Sequence, residues 1–391
     1  MSQLLSAVET AEPVAAVHVF AQELSRQVGA DEVSFLIADF SGQTLIRLTQ
    51  SPDQGPGEEA AERVPLSDEH LPYRLAVTSQ RLQVLPVDGG FRALVPVSAR
   101  GDAMGLLDVV LPAAPDAEVE GFLAGAAHAL ALVITAERRH TDLYEWGQRS
   151  RPVSLAAEIQ RRLLPDAFTC EAGAFTLAAW LEPAGSVGGD TFDYRLDTDR
   201  LYLSMTDAMG HETEAALLAT LAVGSLRNSR RRGEDLPGMA RTASGVIDEH
   251  SRGSGFVTGL LMSVALADGS VEVVNAGHPL PLLQRDGVVR PVFLEADLPF
   301  GVRPEAGYAL QRFTLRPGDR LVLLTDGMLE RNAAEIDLPV LIAACSDLHP
   351  RQLIQVLTAA VDEANQGLLT DDATALCLDW NGTPPPVPAR S

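Results

Sequence analysis

The C-terminal half of this 391-residue chain places aspartates where apolar strands meet loops. Asp190 follows two glycines, Asp207 and Asp326 each end an apolar segment, and Asp371 and Asp372 open another. Burying a carboxylate without a partner is costly, and no arginine or lysine is adjacent in sequence to any of these residues. Several like charges at one sheet edge need a cation between them. Their oxygen ligands favour magnesium or manganese.

Each of these aspartates, taken alone, is also typical of a turn. Aspartate before glycine at the end of a strand is ordinary turn chemistry, as at Asp326–Gly327. Their joint occurrence at the ends of apolar strands in one region favours a metal site.

Five motifs occur in a fixed order across residues 186–378, namely SVGGDTFD, TDAMGHETEAALLATL, NAGHPLPLL, LLTDGMLE and DDATALCL. Together with EIQRRLLP at 158–165, they resemble the SpoIIE-type (RsbU-like) branch of the PPM metal-dependent serine/threonine protein phosphatases. The resemblance covers about residues 155–380. It implies a β-sandwich flanked by helices, with two divalent cations, manganese or magnesium, at one end.

The resemblance also implies roles for the site residues. Asp190 would bridge both metals, and Asp207 and the backbone carbonyl of Ala208 would hold one of them. Asp326 and Asp371 would hold the other. The expected catalysis is attack on a phosphoserine or phosphothreonine by a water that both metals activate.

Four further residues near these motifs have open roles. Asp193 is typical of the family and either orients metal-bound water or is merely the next turn residue. Asp372 is the less favoured ligand, because the family's last motif binds metal through its first acidic residue, here Asp371. His211 is either the acid that protonates the leaving alkoxide or a structural histidine. Glu212 stands where many members have glycine, so it would narrow the site or add a carboxylate.

For two other features a structural role has to be weighed beside a functional one. His278 lies in a family strand–turn motif, and packing is its expected role. Several arginines close the helix predicted over residues 213–232, where they complement the helix dipole or recruit an acidic substrate protein. They are Arg227, Arg230, Arg231 and Arg232.

The predicted fold class is α+β, with an N-terminal domain, a helical linker and a C-terminal sandwich. The N-terminal pattern predicts a helix over 7–28, an antiparallel sheet and a long helix from Asp116 to Trp146. The segment GDAMGLLDVVL and this order of elements are similar to a GAF-type sensor domain. The predicted boundaries are 1–138 for the sensor, 139–165 for the linker, 166–381 for the phosphatase and 382–391 for a disordered tail.

Charge and composition limit the partners. The net charge is −23, from 30 basic and 53 acidic residues, which disfavours binding to nucleic acid or anionic membranes. Three scattered cysteines predict no disulfide framework. No secretory signal is expected, and the apolar stretch at 122–134 is expected to be too short to span a membrane. A cytoplasmic location is therefore predicted.

The leading hypothesis is a protein serine/threonine phosphatase acting on a phosphorylated STAS-type anti-anti-sigma factor and regulated by a signal at the GAF-like domain. The alternative is a sensor or scaffold that has weak or no catalysis. A third hypothesis is a metal phosphoesterase that acts on small molecules. Helices at 122–146 and 153–164 are predicted to form a parallel homodimer contact.

Overall fold

The computed structural model describes most of the chain, in two compact units, Met1–Pro152 and Val153–Ser391. The described residues are 1–40, 42–48, 62–67, 70–149, 154–182, 188–210, 212–329, 336–365 and 371–382. The boundary between the units falls within the predicted linker 139–165, so the two halves of that segment belong to different units. The predicted tail lies outside the described residues from 383 onward.

The N-terminal unit is an antiparallel sheet of six strands in the order β3-β2-β1-β6-β5-β4, with helices on both faces. Its strands are β1 Glu32–Ala38, β2 Thr44–Arg47, β3 Arg63–Pro65, β4 Gln83–Val87, β5 Gly90–Ala99 and β6 Asp102–Leu111. Its helices are α1 Ser2–Glu9, α2 Ala16–Val28, α3 Leu71–Ser79, α4 Ala117–Glu137 and α5 Leu143–Gly147. This arrangement agrees with the predicted sheet with helices, while the assignment to the GAF class stays a prediction.

Alternation along the strands builds two cores in this unit. Phe35 and Ile37 of β1 pack with α1, α2 and α4, whereas Leu36 packs on the opposite face with α3. Successive side chains of a strand point to opposite faces, so one apolar run serves both cores.

Both long helices predicted for this unit are interrupted. A 3-10 turn at Pro13–Ala15 separates α1 from α2, because proline fixes its backbone and has no amide to donate. The helix that was predicted to run from Asp116 to Trp146 ends at Glu137, and α5 begins six residues later. There the hydroxyl of Thr141 accepts from the amide of Leu143 at 3.1 Å, which satisfies an amide at the start of the new helix.

Helix α4 contradicts the expectation of an apolar stretch too short to cross a membrane. It has 21 residues and is the one helix in the described ranges that is long and apolar enough to do so. Of its most apolar 18 residues, 44% are buried inside the protein, including Leu123 and Leu130 in the first core. A core helix has the same length and composition.

The C-terminal unit is a sandwich of two antiparallel sheets, as predicted for it. One sheet has the order β15-β12-β11-β10-β9, and the other has the order β14-β13-β16-β17-β8-β7. The strands are β7 Thr169–Glu171, β8 Phe175–Glu182, β9 Asp190–Leu196, β10 Arg200–Ala208, β11 Val257–Ala265, β12 Ser270–Ala276, β13 Leu282–Arg285, β14 Val288–Pro291, β15 Gln311–Thr314, β16 Asp319–Leu324 and β17 Ala373–Trp380. The helices are α6 Leu155–Leu163, α7 Glu212–Arg231, α8 Leu236–Ser251, α9 Leu338–Ala344 and α10 Pro350–Ala364.

Three apolar layers hold the sandwich together. The core between the sheets contains Phe192 and Met205 from one sheet and Leu323 and Leu376 from the other. Helices α7 and α8 cover the outer face of the first sheet, and α9 and α10 cover that of the second. Side chains of β9 and β10 at the parity of Phe192 and Met205 therefore point between the sheets.

Candidate metal centre

Asp190 begins β9 and is the centre of the candidate site. It has the parity of Phe192, so its side chain enters the space between the sheets, where it is only 2% exposed. On β10 its direct partner in the antiparallel register is Asp207. The sandwich thus has two aspartates side by side at one end of its inner core.

The opposite sheet supplies the hydrogen-bond donors to Asp190. The hydroxyls of Thr325 and Thr374 donate to its Oδ2 at 2.7 and 2.6 Å. Thr325 follows β16 and Thr374 lies on β17, and these two segments are linked by a backbone hydrogen bond of 3.0 Å. One carboxylate oxygen of Asp190 is therefore fixed by the sheet that faces it.

Asp372 approaches the same point from the start of β17. Its Oδ2 accepts from the backbone amides of Gly189 and Asp190 at 3.2 and 3.4 Å. Burial, followed by the negative charges of Asp207 and Asp372, raises the pKa of the Asp190 carboxyl well above its ordinary value, and the two threonine hydroxyls offset part of the rise. Three acidic side chains are thus close together where water is largely excluded from Asp190.

The glycine pair before Asp190 is required by close backbone packing. A Cβ on Gly189 would lie 2.5 Å from the carbonyl oxygen of Ala208, and one on Gly188 would lie 3.2 Å from that of Ala156 in α6. A Cβ on Gly327, after Asp326, would overlap the carbonyl oxygen of Asp372. A residue without a Cβ is therefore needed where neighbouring backbone approaches this closely.

The remaining predicted ligands lie at the same end of the second sheet. Asp326 starts a 3-10 turn directly after β16, and Asp371 precedes β17, which pairs with β16. The Oδ1 of Asp371 accepts the amide of Asp372 at 2.9 Å. Asp372 is committed to several donors inside the protein. The expected ligand roles of Asp371 and of the carbonyl of Ala208, at the end of β10, stay predictions.

The position of Asp193 contradicts the water-orienting role expected for it. Its parity is opposite to that of Asp190, so it faces the helix layer and pairs with Arg227 and Arg230 of α7. Arg227 makes two hydrogen bonds to it, of 3.1 and 3.0 Å. Asp193 is therefore a structural ion-pair partner, and these two arginines bind it instead of serving only the dipole of their helix.

His278 is packed as predicted. It is 4% exposed, its Nδ1 lies 3.0 Å from the hydroxyl of Thr258, and burial lowers its pKa to about 3. Thr258 pairs with Asp207 in the register of β10 and β11. The threonine that contacts His278 is therefore the cross-strand neighbour of Asp207. His211 and the side chain of Glu212 lie outside the described residues, and their expected roles stay predictions.

The donor set suits a hard cation, because its side chains are carboxylates. In the part of the chain that the structure describes, no three acidic, histidine or cysteine side chains are already gathered as a metal cage. The fit rests on Asp190, a buried carboxylate that faces two others and has no ion pair to a basic side chain in the described ranges. Binding would have to draw the carboxylates together.

Comparison with known proteins identifies the C-terminal unit. Residues 197–381, which are less than half of the chain, match the sequence model of the family described as Stage II sporulation protein E (SpoIIE). This segment is therefore similar to the PPM-type serine/threonine phosphatase domains of that family. Within that class, this part of the chain resembles the SpoIIE branch.

Similar proteins cover part of the chain. Phosphoserine phosphatase RsbP of Bacillus subtilis (strain 168) is 21% identical over 189 residues, which are 47% of this chain and 46% of that protein. The chain thus spans about half the length of this curated relative. The solved RsbU and RsbW domains of Rv1364c from Mycobacterium tuberculosis are 25% identical, with 57% of this chain and 63% of that one covered and a TM-score of 0.47. The phosphatase domain of SpoIIE from Bacillus subtilis, solved with a fragment of its regulatory domain, is 19% identical, with 55% and 66% covered and a TM-score of 0.47.

Proposed function

We propose that the protein is a manganese- or magnesium-dependent phosphatase of phosphoserine or phosphothreonine in a regulatory protein. The observation that supports this most directly is Asp190, buried against Asp207 and Asp372 without a basic partner among the described residues. A pair of divalent cations at this point would supply charge compensation and an acidified water nucleophile.

In this proposal each side chain has a limited task. Asp190 is the shared ligand, and Thr325 and Thr374 keep one of its oxygens in place. Asp207 and the carbonyl of Ala208 bind on one side, and Asp326 and Asp371 bind on the other. His211 is the candidate proton donor to the leaving alkoxide.

The substrate we propose is a phosphorylated STAS-type anti-anti-sigma factor in the cytoplasm. The similarity to RsbP, which is named as a phosphoserine phosphatase, supports phosphoserine as the group that is hydrolysed. A signal bound by the N-terminal unit would set the activity, and homodimer contacts through α4 and α6 would transmit it. A strict monomer in analytical ultracentrifugation, with and without manganese, would refute the dimer.

The chemistry is tested by hydrolysis of a phosphoserine STAS protein by the full chain, with and without manganese. We expect turnover that needs the metal and that falls at least about a hundredfold in Asp207→Asn, since the lost carboxylate is a direct ligand. Equal, metal-independent release of phosphate by both proteins would refute the proposal. A higher rate on a phosphorylated metabolite than on the phosphoprotein would favour the small-molecule reading.

One observation favours a second candidate, a scaffold without catalysis. Arg227 and Arg230 are bound to Asp193, so they are not placed to grip a substrate phosphate. A scaffold would bind the same phosphoprotein and leave its phosphate intact at saturating manganese.

A further inference from the structure

Helix α6 buries a glutamine where a sequence pattern suggests an apolar face. Its sequence places Leu155, Ile159 and Leu163 on one stripe, yet Leu155 is 67% exposed, and Gln160 is 1% exposed. A glutamine that is fully removed from water needs partners for its polar atoms.

The side-chain amide of Gln160 joins the two sheets. Its Nε2 donates to the backbone carbonyl of Asp190 at 2.8 Å and to Oδ2 of Asp372 at 2.6 Å. Both partners are acceptors, so the amide orientation follows from the hydrogen bonds themselves. One NH2 group thus spans β9 of the first sheet and the start of β17 in the second.

The bond to Asp372 strengthens an arrangement that already orders Asp190. The same Oδ2 also accepts the amides of Gly189 and Asp190, so Gln160 is a third donor to one carboxylate oxygen. Donors of this kind favour the ionised carboxylate and fix its direction. Gly188 allows this approach, because its bare Cα lies against Ala156 of the same helix.

A second polar contact fixes the end of helix α6. The carbonyl of Leu163 accepts from Nη2 of Arg227 at 2.6 Å, and Arg227 is itself paired with Asp193. The helix is therefore attached to β9 at two points, directly beside Asp190 and indirectly at Asp193.

We propose that Gln160 is a positioning residue that holds Asp372 and the backbone of Asp190, so that the metal affinity of the site depends on the position of helix α6. This inference rests on the proposed function. A displacement of α6 would remove the amide from both acceptors at once and leave Asp372 with fewer donors beside Asp190. The helix that precedes the phosphatase sheets thereby becomes the element through which metal binding is set.

The test is calorimetric titration of the full chain with manganese, using wild type, Gln160→Leu and Gln160→Glu. We expect Gln160→Leu to raise the dissociation constant for manganese about tenfold or more, as for other residues that orient metal ligands. Arg162→Ala is the matched control, because Arg162 lies on the same helix, is 56% exposed in its side chain and pairs with Glu158. It should bind manganese as wild type does.

Gln160→Glu separates positioning from a merely structural role. Glutamate keeps the shape of glutamine but replaces the NH2 group by an oxygen, which cannot donate to both Asp372 and the carbonyl of Asp190. We expect Gln160→Glu to raise the dissociation constant for manganese at least as much as Gln160→Leu does, whereas a side chain that only fills space would leave it near the wild-type value. This variant also serves if Gln160→Leu fails to melt cooperatively.

The outcomes are distinct. If wild type binds no manganese, the proposed function fails and this inference fails with it. If wild type binds manganese and folded Gln160→Leu binds it equally well, the inference alone is overturned. A folded Gln160→Glu variant that binds manganese as tightly as wild type also overturns it.

Discussion

Each of the two units buries an aspartate almost completely, but the surroundings of the two residues differ. Asp108 on β6 of the N-terminal unit is 2% exposed, with Arg47 at 3.0 Å and Arg92 at 3.2 Å from its oxygens. Two guanidinium groups compensate its charge from within the protein.

Asp190 is equally buried but has the opposite surroundings. Its neighbours are Asp207, Asp372 and two neutral hydroxyls, and no ion pair joins it to a basic residue in the part of the chain that is described. Arginine partners neutralise a buried carboxylate within the fold, whereas a carboxyl that faces other carboxylates has to bind a cation or stay protonated. Asp193, three residues further along β9, has arginine partners and belongs with Asp108.

The largest effect is expected for Asp190→Asn. We expect activity on the phosphoprotein to fall at least about a hundredfold, because a shared ligand is lost. The metal-free variant should nevertheless melt at a higher temperature than wild type at neutral pH, because the unfavourable buried charge is gone. Thermal unfolding with chelator, beside the activity assay, measures both effects. A lower melting temperature would mean that the carboxylate of Asp190 is already compensated within the protein.

The reciprocal change, Asp108→Asn, should act on stability alone. It leaves Arg47 and Arg92 without their buried anion, and we expect the free energy of unfolding to fall by about 3 kcal/mol. Denaturant unfolding gives this value. Activity per folded molecule at saturating manganese should remain that of wild type. A hundredfold loss there would contradict a purely structural role.

His278 offers a third way to bury an ionisable group, which is to keep it neutral. Its folded pKa of about 3 lies below its ordinary value of 6.5, so the stability it contributes is present above pH 6.5 and is lost as the pH falls toward 3. Between pH 7 and pH 5 the loss should be about 2 kcal/mol. His278→Gln should remove this part of the pH dependence of unfolding. An unchanged pH profile in the variant would show that His278 is not its source.

The smallest effect is expected for Asp193→Asn. The ion pairs with Arg227 and Arg230 are partly exposed, and Arg227 keeps its bond to Leu163, so we expect a loss of about 1.5 kcal/mol in unfolding free energy. Activity at saturating manganese should change less than about threefold. A loss comparable with that of Asp207→Asn would restore the water-orienting role that the sequence suggested.

The sequence predicted the fold class and the aspartates because both follow from local patterns. Alternating apolar residues gave the strands, and an aspartate at the end of an apolar strand is visible without a structure. Parity along β9 carried a further signal, since residues three apart on a strand face opposite sides, and this separates Asp193 from Asp190. Thr141 and Asp142 likewise carried the signal for a new helix before Leu143.

Contacts between distant segments could not be read from the sequence. Gln160 and Asp372 are 212 positions apart, and Thr374 and Asp190 are 184 apart. Periodicity reports which face a residue occupies within its own element, not which element lies opposite. Gln160 could not be singled out from the sequence, because Leu155, Ile159 and Leu163 indicated a different buried face of α6.

The decisive experiment for a metal site at Asp190 is calorimetric titration of the chelator-treated full chain with manganese, in wild type and Asp190→Ala. We expect saturable binding at two sites in wild type and loss of that binding in the variant, because Asp190 is the ligand that both cations would share. Two-site binding that survives in Asp190→Ala, or no binding by folded wild type, would contradict it.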